Sequence, residues 1–129
     1  MGTMTFEPLD ACFGAKVTGV NLADLDDGAL AELRRQWVQH GLLVFEGAHL
    51  SRDDQIAFAK RLGDLEIEMA ELSNVKPDGT LRVDDGNDDM MKVHKGNMGW
   101  HHDSTYMPIQ ATGAVSVSYT HLTLPTNGC

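Results

Sequence analysis

The feature that most restricts the fold is a framed alternation between residues 26 and 63, in which helix, strand and helix each carry their own start and stop. Asp26 or Asp27 opens the first helix as its N-cap. Leu30, Leu33 and Trp37 then recur at helical spacing, and Gly41 stops the run. LLVF, Leu42 to Phe45, is a continuous apolar stretch of the kind a buried strand presents. Ser51 caps a second helix, with Asp53 and Asp54 in the first turn, where the helix dipole favours negative charge. Ile56, Ala59 and the Phe58/Leu62 pair form its inner face, and Gly63 ends it.

On either side of this frame the pattern is looser. TFEPLDACFGAKVTGVNL, residues 5 to 22, contains β-favouring pieces punctuated by Pro8, Gly14 and Gly19. Phe13, Ala15, Val17 and Val20 predict a strand with one apolar face and a kink. From Glu66 to Met91 the periodicity fades into a KPDGT turn, a short LRV strand and a polar DDGNDDMM loop. Strand character is expected again from Gly99 to Tyr106, breaks at Pro108, and resumes in TGAVSVSY. The fold class is α+β, with two helices ahead of a mainly β second half. There is no internal repeat and no low-complexity tract.

At 129 residues the chain suits one domain. A formal net charge of −9, with no offsetting Lys/Arg run, argues against nucleic acid or an anionic membrane as partner. No apolar run approaches the length of a membrane span, and MGTMTFEPLD lacks the basic and apolar regions of a signal peptide. Cys12 and Cys129 stand alone at opposite ends, so a reducing cytoplasmic setting is expected.

Chemistry concentrates in GNMGWHHDSTY, residues 96 to 106. On a strand, alternation puts His101 and Asp103 on one face and His102 on the other. One imidazole and one carboxylate supply two of the three ligands of a facial triad, leaving metal positions open for co-substrate and oxygen. Spacing by itself supports only a two-ligand metal site, since H-x-D also occurs as a surface hydrogen-bonded pair. His40 sits at a helix end, where its role is with the helix C-terminus; His49 and His94 fall in loops without a partner at metal spacing. Trp100 and Tyr106 either wall the site or pack in the core. Asn97 reads equally as a turn residue after Gly96 or as a pocket residue. Ser104 and Thr105 serve the strand beside Asp103.

GNMGWHHDSTYMP resembles the iron-binding segment of the taurine and 2,4-dichlorophenoxyacetate dioxygenase family, whose W-H-x-D-S/T signature opens the core barrel. FGAKVTGVNL, a helix, HGLLVFEG and LSRDDQIAFAKRLGDLE follow the family's amino-terminal order, so the resemblance spans about residues 6 to 116. It implies the first part of a double-stranded β-helix (jelly roll) with flanking helices, the barrel being incomplete in this chain. It further implies a non-haem Fe(II) centre with 2-oxoglutarate as cosubstrate. A small organic, anionic substrate would be oxidised by O2, with succinate and carbon dioxide as co-products. His101 and Asp103 are then iron ligands, and Asn97 matches a position lining the substrate pocket; Trp100 and Tyr106 are further substrate-contact candidates.

The family's later groups, a threonine and an arginine for 2-oxoglutarate and a distal histidine for iron, have no counterpart here; His121 lacks the family's surrounding motif. VSYTHLTLPT, Val117 to Thr126, equals the translation of GTCTCTTATACACATCTGACGCTGCCGACG, which resembles a transposase library adapter. Residues 1–116 are therefore expected to be the native portion of one dioxygenase domain, and 117–129 a non-native tail. Such a chain is expected to be poorly stable and inactive as written. Two alternatives stand beside the dioxygenase: a catalytically dead jelly-roll binding module, and a zinc site built on the same His/Asp pair.

Overall fold

A computed structural model of the chain describes residues 3 to 117. Residues up to 65, joined by 115–117, form one unit; residues 66–114 form another.

The first unit is built around the framed alternation. Strand β1 (Thr5–Pro8) pairs antiparallel with β2 (Ala15–Thr18), matching Phe6 to Val17 and Pro8 to Ala15. Helix α1 (Asp27–His40) then carries the chain to β3 (Leu43–Val44), which lies parallel to β2, giving the sheet order β1-β2-β3. Helix α2 (Arg52–Leu62) follows. The expected caps are in place. The Asp26 carboxylate accepts from Ala29 N–H at 2.7 Å, and Gly41 takes φ 74° while its N–H donates to the Trp37 carbonyl. Ser51 Oγ accepts from Asp54 N–H at 3.2 Å.

Alternation along the central strand β2 sends Ala15 and Val17 inward and turns Lys16 to the opposite face, where its Nζ meets Glu46 Oε2 at 2.6 Å. Val17, Leu22, Leu25, Leu33 and Phe58 make the core, with Met4, Phe6, Leu43, Leu62 and Val115 packed at its margin. Arginines tie the helices together. Arg34 Nη2 donates to the carbonyls of Arg61 and Leu62, which the last turn of α2 leaves without helical partners. Arg61 in turn donates to the Leu25 carbonyl and to Asp27 Oδ1.

Two expectations change here. Leu42 to Phe45 is not a buried strand: only Leu43 and Val44 pair, both half-buried, and Leu42 is exposed. With a single sheet neighbour, β3 has one side unpaired among the described residues. The apolar face of β2 begins at Ala15, not Phe13, which is 64% exposed.

In the second unit KPDGT is a turn, with Lys76 N–H donating to Thr80 O and Gly79 N–H to Lys76 O. The expected LRV strand reduces to one bridge, Val75 to Leu81. The DDGNDDMM loop ends in helix: Asp88 caps α3 (Asp89–Asn97), a helix the fading periodicity did not announce. His94 therefore lies on α3, not in a loop. Residues 99–106 form a bend and a turn instead of a strand, and 112–117 make no strand either. A strand needs a neighbour to take its backbone hydrogen bonds, and none is at hand among the described residues. No residue from 66 to 114 is buried. Among the described residues no helix is long and apolar enough to cross a membrane. Cys12 is a free, exposed thiol, while Cys129, His121 and tail positions 118–129 lie outside the described residues.

Candidate metal centre

The site grows from the end of α3. Asp89 in the first turn and His94 and Lys95 in the last suit the helix dipole, and Asp88 accepts from Met91 N–H at 3.1 Å. Burial pushes the Asp88 carboxyl up, but hydrogen bonds from Met91 N–H and Arg82 outweigh it and hold the group below its ordinary range. Past Asn97 the last turn tightens, with Met98 N–H donating to Lys95 O and Gly99 N–H to Gly96 O.

This turn delivers the Gly99 carbonyl to His101, whose Nδ1 lies 2.8 Å from it. With Nδ1 carrying the proton for that bond, Nε2 is left as the free lone pair of the neutral ring. Nε2 lies 3.2 Å from Asp103 Oδ1. The residues that strand alternation places on one face are thus brought together by a bend. Beyond Asp103 the chain turns sharply: Ser104 takes φ 62°, and its carbonyl accepts from Met107 N–H at 3.0 Å. A left-handed conformation costs a non-glycine residue roughly 1 kcal/mol or more, so the turn at Ser104 is held by its surroundings. Ser104 therefore serves a turn and not a strand.

The donor set fits a divalent metal. Two cis ligands with bonds of roughly 2.0–2.2 Å stand about 3 Å apart, close to the observed separation. A metal-bound histidine ordinarily donates its other N–H to a carbonyl or carboxylate, the role Gly99 fills. The same geometry serves an ion pair when the ring is protonated. Among the described residues no third His, Cys, Asp or Glu joins the pair.

The other candidates sit less tightly. His102 stays out of the pair, its Nδ1 lying 2.8 Å from the Asp103 carbonyl. Asn97 is the last residue of α3, not a turn residue after Gly96. Trp100, at 107% relative exposure, and Tyr106, at 80%, neither pack in a core nor shut water out. The first unit carries an open depression of about 630 Å³ lined by Val20, Asn21, Asp24 and Leu25 among others, none of them a site candidate. What sequence reasoning missed is α3 and the Gly99 carbonyl; the Asp88 cap with His94 and Lys95 in the last turn was the available signal.

Residues 5–118 match the family described as "Taurine catabolism dioxygenase TauD, TfdA family". An (S)-phenoxypropionate/alpha-ketoglutarate-dioxygenase of Sphingobium herbicidovorans is 66% identical over 108 residues, which is 84% of this chain and 38% of that protein. An alpha-ketoglutarate-dependent 2,4-dichlorophenoxyacetate dioxygenase of Cupriavidus pinatubonensis is 32% identical over 115 residues, covering 77% of this chain and 39% of that one. The crystal structure of AAD-2 in complex with Mn(II) and N-oxalylglycine superposes with a TM-score of 0.77 at 29% identity, over 84% of this chain and 39% of that one. The chain thus spans about two fifths of the length of the relatives it matches.

Proposed function

The chain belongs to the TauD/TfdA dioxygenase family, and from that premise we propose that its protein is a non-haem Fe(II)- and 2-oxoglutarate-dependent dioxygenase acting on a small aryloxy-carboxylate. The substrate class follows relatives named for phenoxypropionate and 2,4-dichlorophenoxyacetate. The observation that carries the reading is the His101–Asp103 pair at 3.2 Å, with the far imidazole nitrogen already engaged by Gly99.

His101 Nε2 and an Asp103 oxygen would hold the metal, with a third ligand supplied from elsewhere in the fold. When bound, Fe(II) supplies the redox chemistry by which 2-oxoglutarate is decarboxylated to succinate and carbon dioxide while the second substrate is oxidised by O2. The chain's own residues present and orient. Gly99 keeps the proton on Nδ1 so that Nε2 is offered as a lone pair, and the Ser104 turn sets the direction of the Asp103 carboxylate. Asn97, at the end of α3, would offer an amide to substrate, and the exposed rings of Trp100 and Tyr106 would meet an aryl group. Residues 1–116 are proposed as the first part of a jelly-roll domain, and 117–129 as a non-native tail; a source-DNA read across codon 116 tests the tail.

The functional test uses the chain in its natural reading frame, with Fe(II), 2-oxoglutarate, O2 and 2-phenoxypropionate. Succinate should form with iron and not with zinc, and His101→Ala and Asp103→Ala should each abolish it. Succinate formation undiminished by both substitutions would refute the assignment.

A further inference from the structure

The metal pair sits in a unit with no buried residue, so something other than a core must fix its position. Helix α3 is stitched to the segment before it by polar contacts at both ends. At its start, Arg82 Nη1 donates to both Asp88 oxygens, at 3.0 and 3.3 Å. Towards its end, Lys95 Nζ meets Asp84 Oδ1 at 2.8 Å and His94 Nε2 lies 3.2 Å from the Ser73 carbonyl. Of these contacts Arg82–Asp88 is the most enclosed ion pair, its side chains 22% and 17% exposed against 59% and 46% for Lys95–Asp84. The far end of the same helix runs without interruption into the turn that presents the Gly99 carbonyl to His101.

We propose that α3, locked by the Asp88 cap and its Arg82 partner, positions the His101 imidazole for metal, which makes Asp88 a positioning residue of the centre. The inference rests on the metal-centre reading above. Asp88 performs two tasks with one carboxylate: it takes the Met91 N–H, starting the helix, and it holds Arg82, fixing the helix to residues 74–82. Loss of the cap lets the helix fray, the Gly99 carbonyl wander and the ring turn, so that Nε2 is no longer offered beside Asp103.

The test is Mn(II) binding to the chain in its natural reading frame, followed by the electron-spin-resonance signal of free Mn(II), with no turnover required. Asp88→Ala should raise the apparent Kd by up to about tenfold, the low end of what losing the Gly99 partner of His101 would cost, because it acts on that partner through the helix. Asp88→Asn, which keeps an oxygen for Met91 N–H, should recover most of the affinity. Lys95→Met, which removes the stitch at the other end with the cap intact, should weaken binding in the same direction. Ser51→Ala strips the cap of α2 in the other unit; it should lower the thermal midpoint and leave the Kd unchanged. Unchanged Mn(II) binding in Asp88→Ala and Lys95→Met, or equal weakening by Ser51→Ala, overturns the inference. A wild-type protein that binds no Mn(II) overturns the metal-centre reading itself.

Discussion

Leu33→Ala is the sharpest test of where stability resides. Leu33 is 2% exposed and sits at the centre of the cluster with Val17, Leu22, Leu25 and Phe58. Truncation loses the transfer free energy of the buried methyls and leaves a cavity between α1 and the sheet, together about 3 kcal/mol. A unit of this size has a total stability of roughly 3–10 kcal/mol, so the variant should be close to unfolding. Val38 lies on the same helix at 86% exposure, and Val38→Ala should change stability by less than about 0.5 kcal/mol. The two tryptophans divide between the units: Trp37 is half-buried on α1, whereas Trp100 is already fully in water. The blue-to-red emission shift on urea unfolding therefore reports Trp37, and a Trp100→Phe background removes the constant signal. Leu33→Ala should lower the urea midpoint by about 1 M or more, for a slope of roughly 1–3 kcal/mol per molar. A Leu33→Ala midpoint indistinguishable from that of Val38→Ala would refute the placement of the core.

Two further outcomes follow from single positions. Gly19 has φ 75°, and a Cβ there would run into the Thr3 carbonyl oxygen, so Gly19→Ala should cost more than about 1 kcal/mol in the same urea assay. Gly47→Ala, at φ 72° with open space around it, should cost less. Side-chain hydrogen bonds from Arg35 and Gln36 lower the Glu32 carboxyl from 4.5 to about 2. Its stabilising contribution is therefore fully present above pH 4.5 and lost as pH falls towards 2. Glu32→Gln should flatten that part of the thermal-midpoint profile, and an unchanged slope would remove Glu32 from the account.

What was legible in the sequence was what the chain decides locally. Asp26, Gly41 and Ser51 act on backbone groups within four residues, so the boundaries of α1 and α2 could be read directly. The strands depend on distant partners, and there the reading slipped. Among the described residues only β2 pairs with LLVF, which shrank to Leu43–Val44, and no strand lies alongside Gly99–Tyr106, which became a bend. Helix α3 escaped because its inward face is short and only half-buried, at Met90, Met91 and His94; its clearer signal was electrostatic, an aspartate cap with acid first and base last. The His101–Asp103 pairing survived the loss of its premise. Residues two apart meet on a strand by alternation, and they meet here because the Gly99 carbonyl and the Ser104 turn bend the chain around them.

That difference bears on how such a centre works. A pair on a strand inherits its order from the sheet, whereas a pair on a bend must be ordered by its own neighbours. His101 and Asp103 are 46% and 83% exposed at their side chains, so burial contributes little to holding them. Each freely rotating side chain that must be fixed on binding costs roughly 0.5–1.5 kcal/mol. A hydrogen bond made in advance, such as that from Nδ1 to Gly99, removes part of that cost for the histidine. Among the described residues the Asp103 carboxylate takes no such hydrogen bond from the backbone, so it carries the larger ordering cost. Lengthening it is then the informative change. Asp103→Glu keeps the charge and the oxygen donors but adds a rotatable bond and moves the carboxylate out by one methylene. It should weaken Mn(II) binding nearly as much as Asp103→Ala does, because placement and not charge limits the site. Binding by Asp103→Glu at wild-type strength would show that a nearby negative charge is sufficient, and the argument from local geometry would fall.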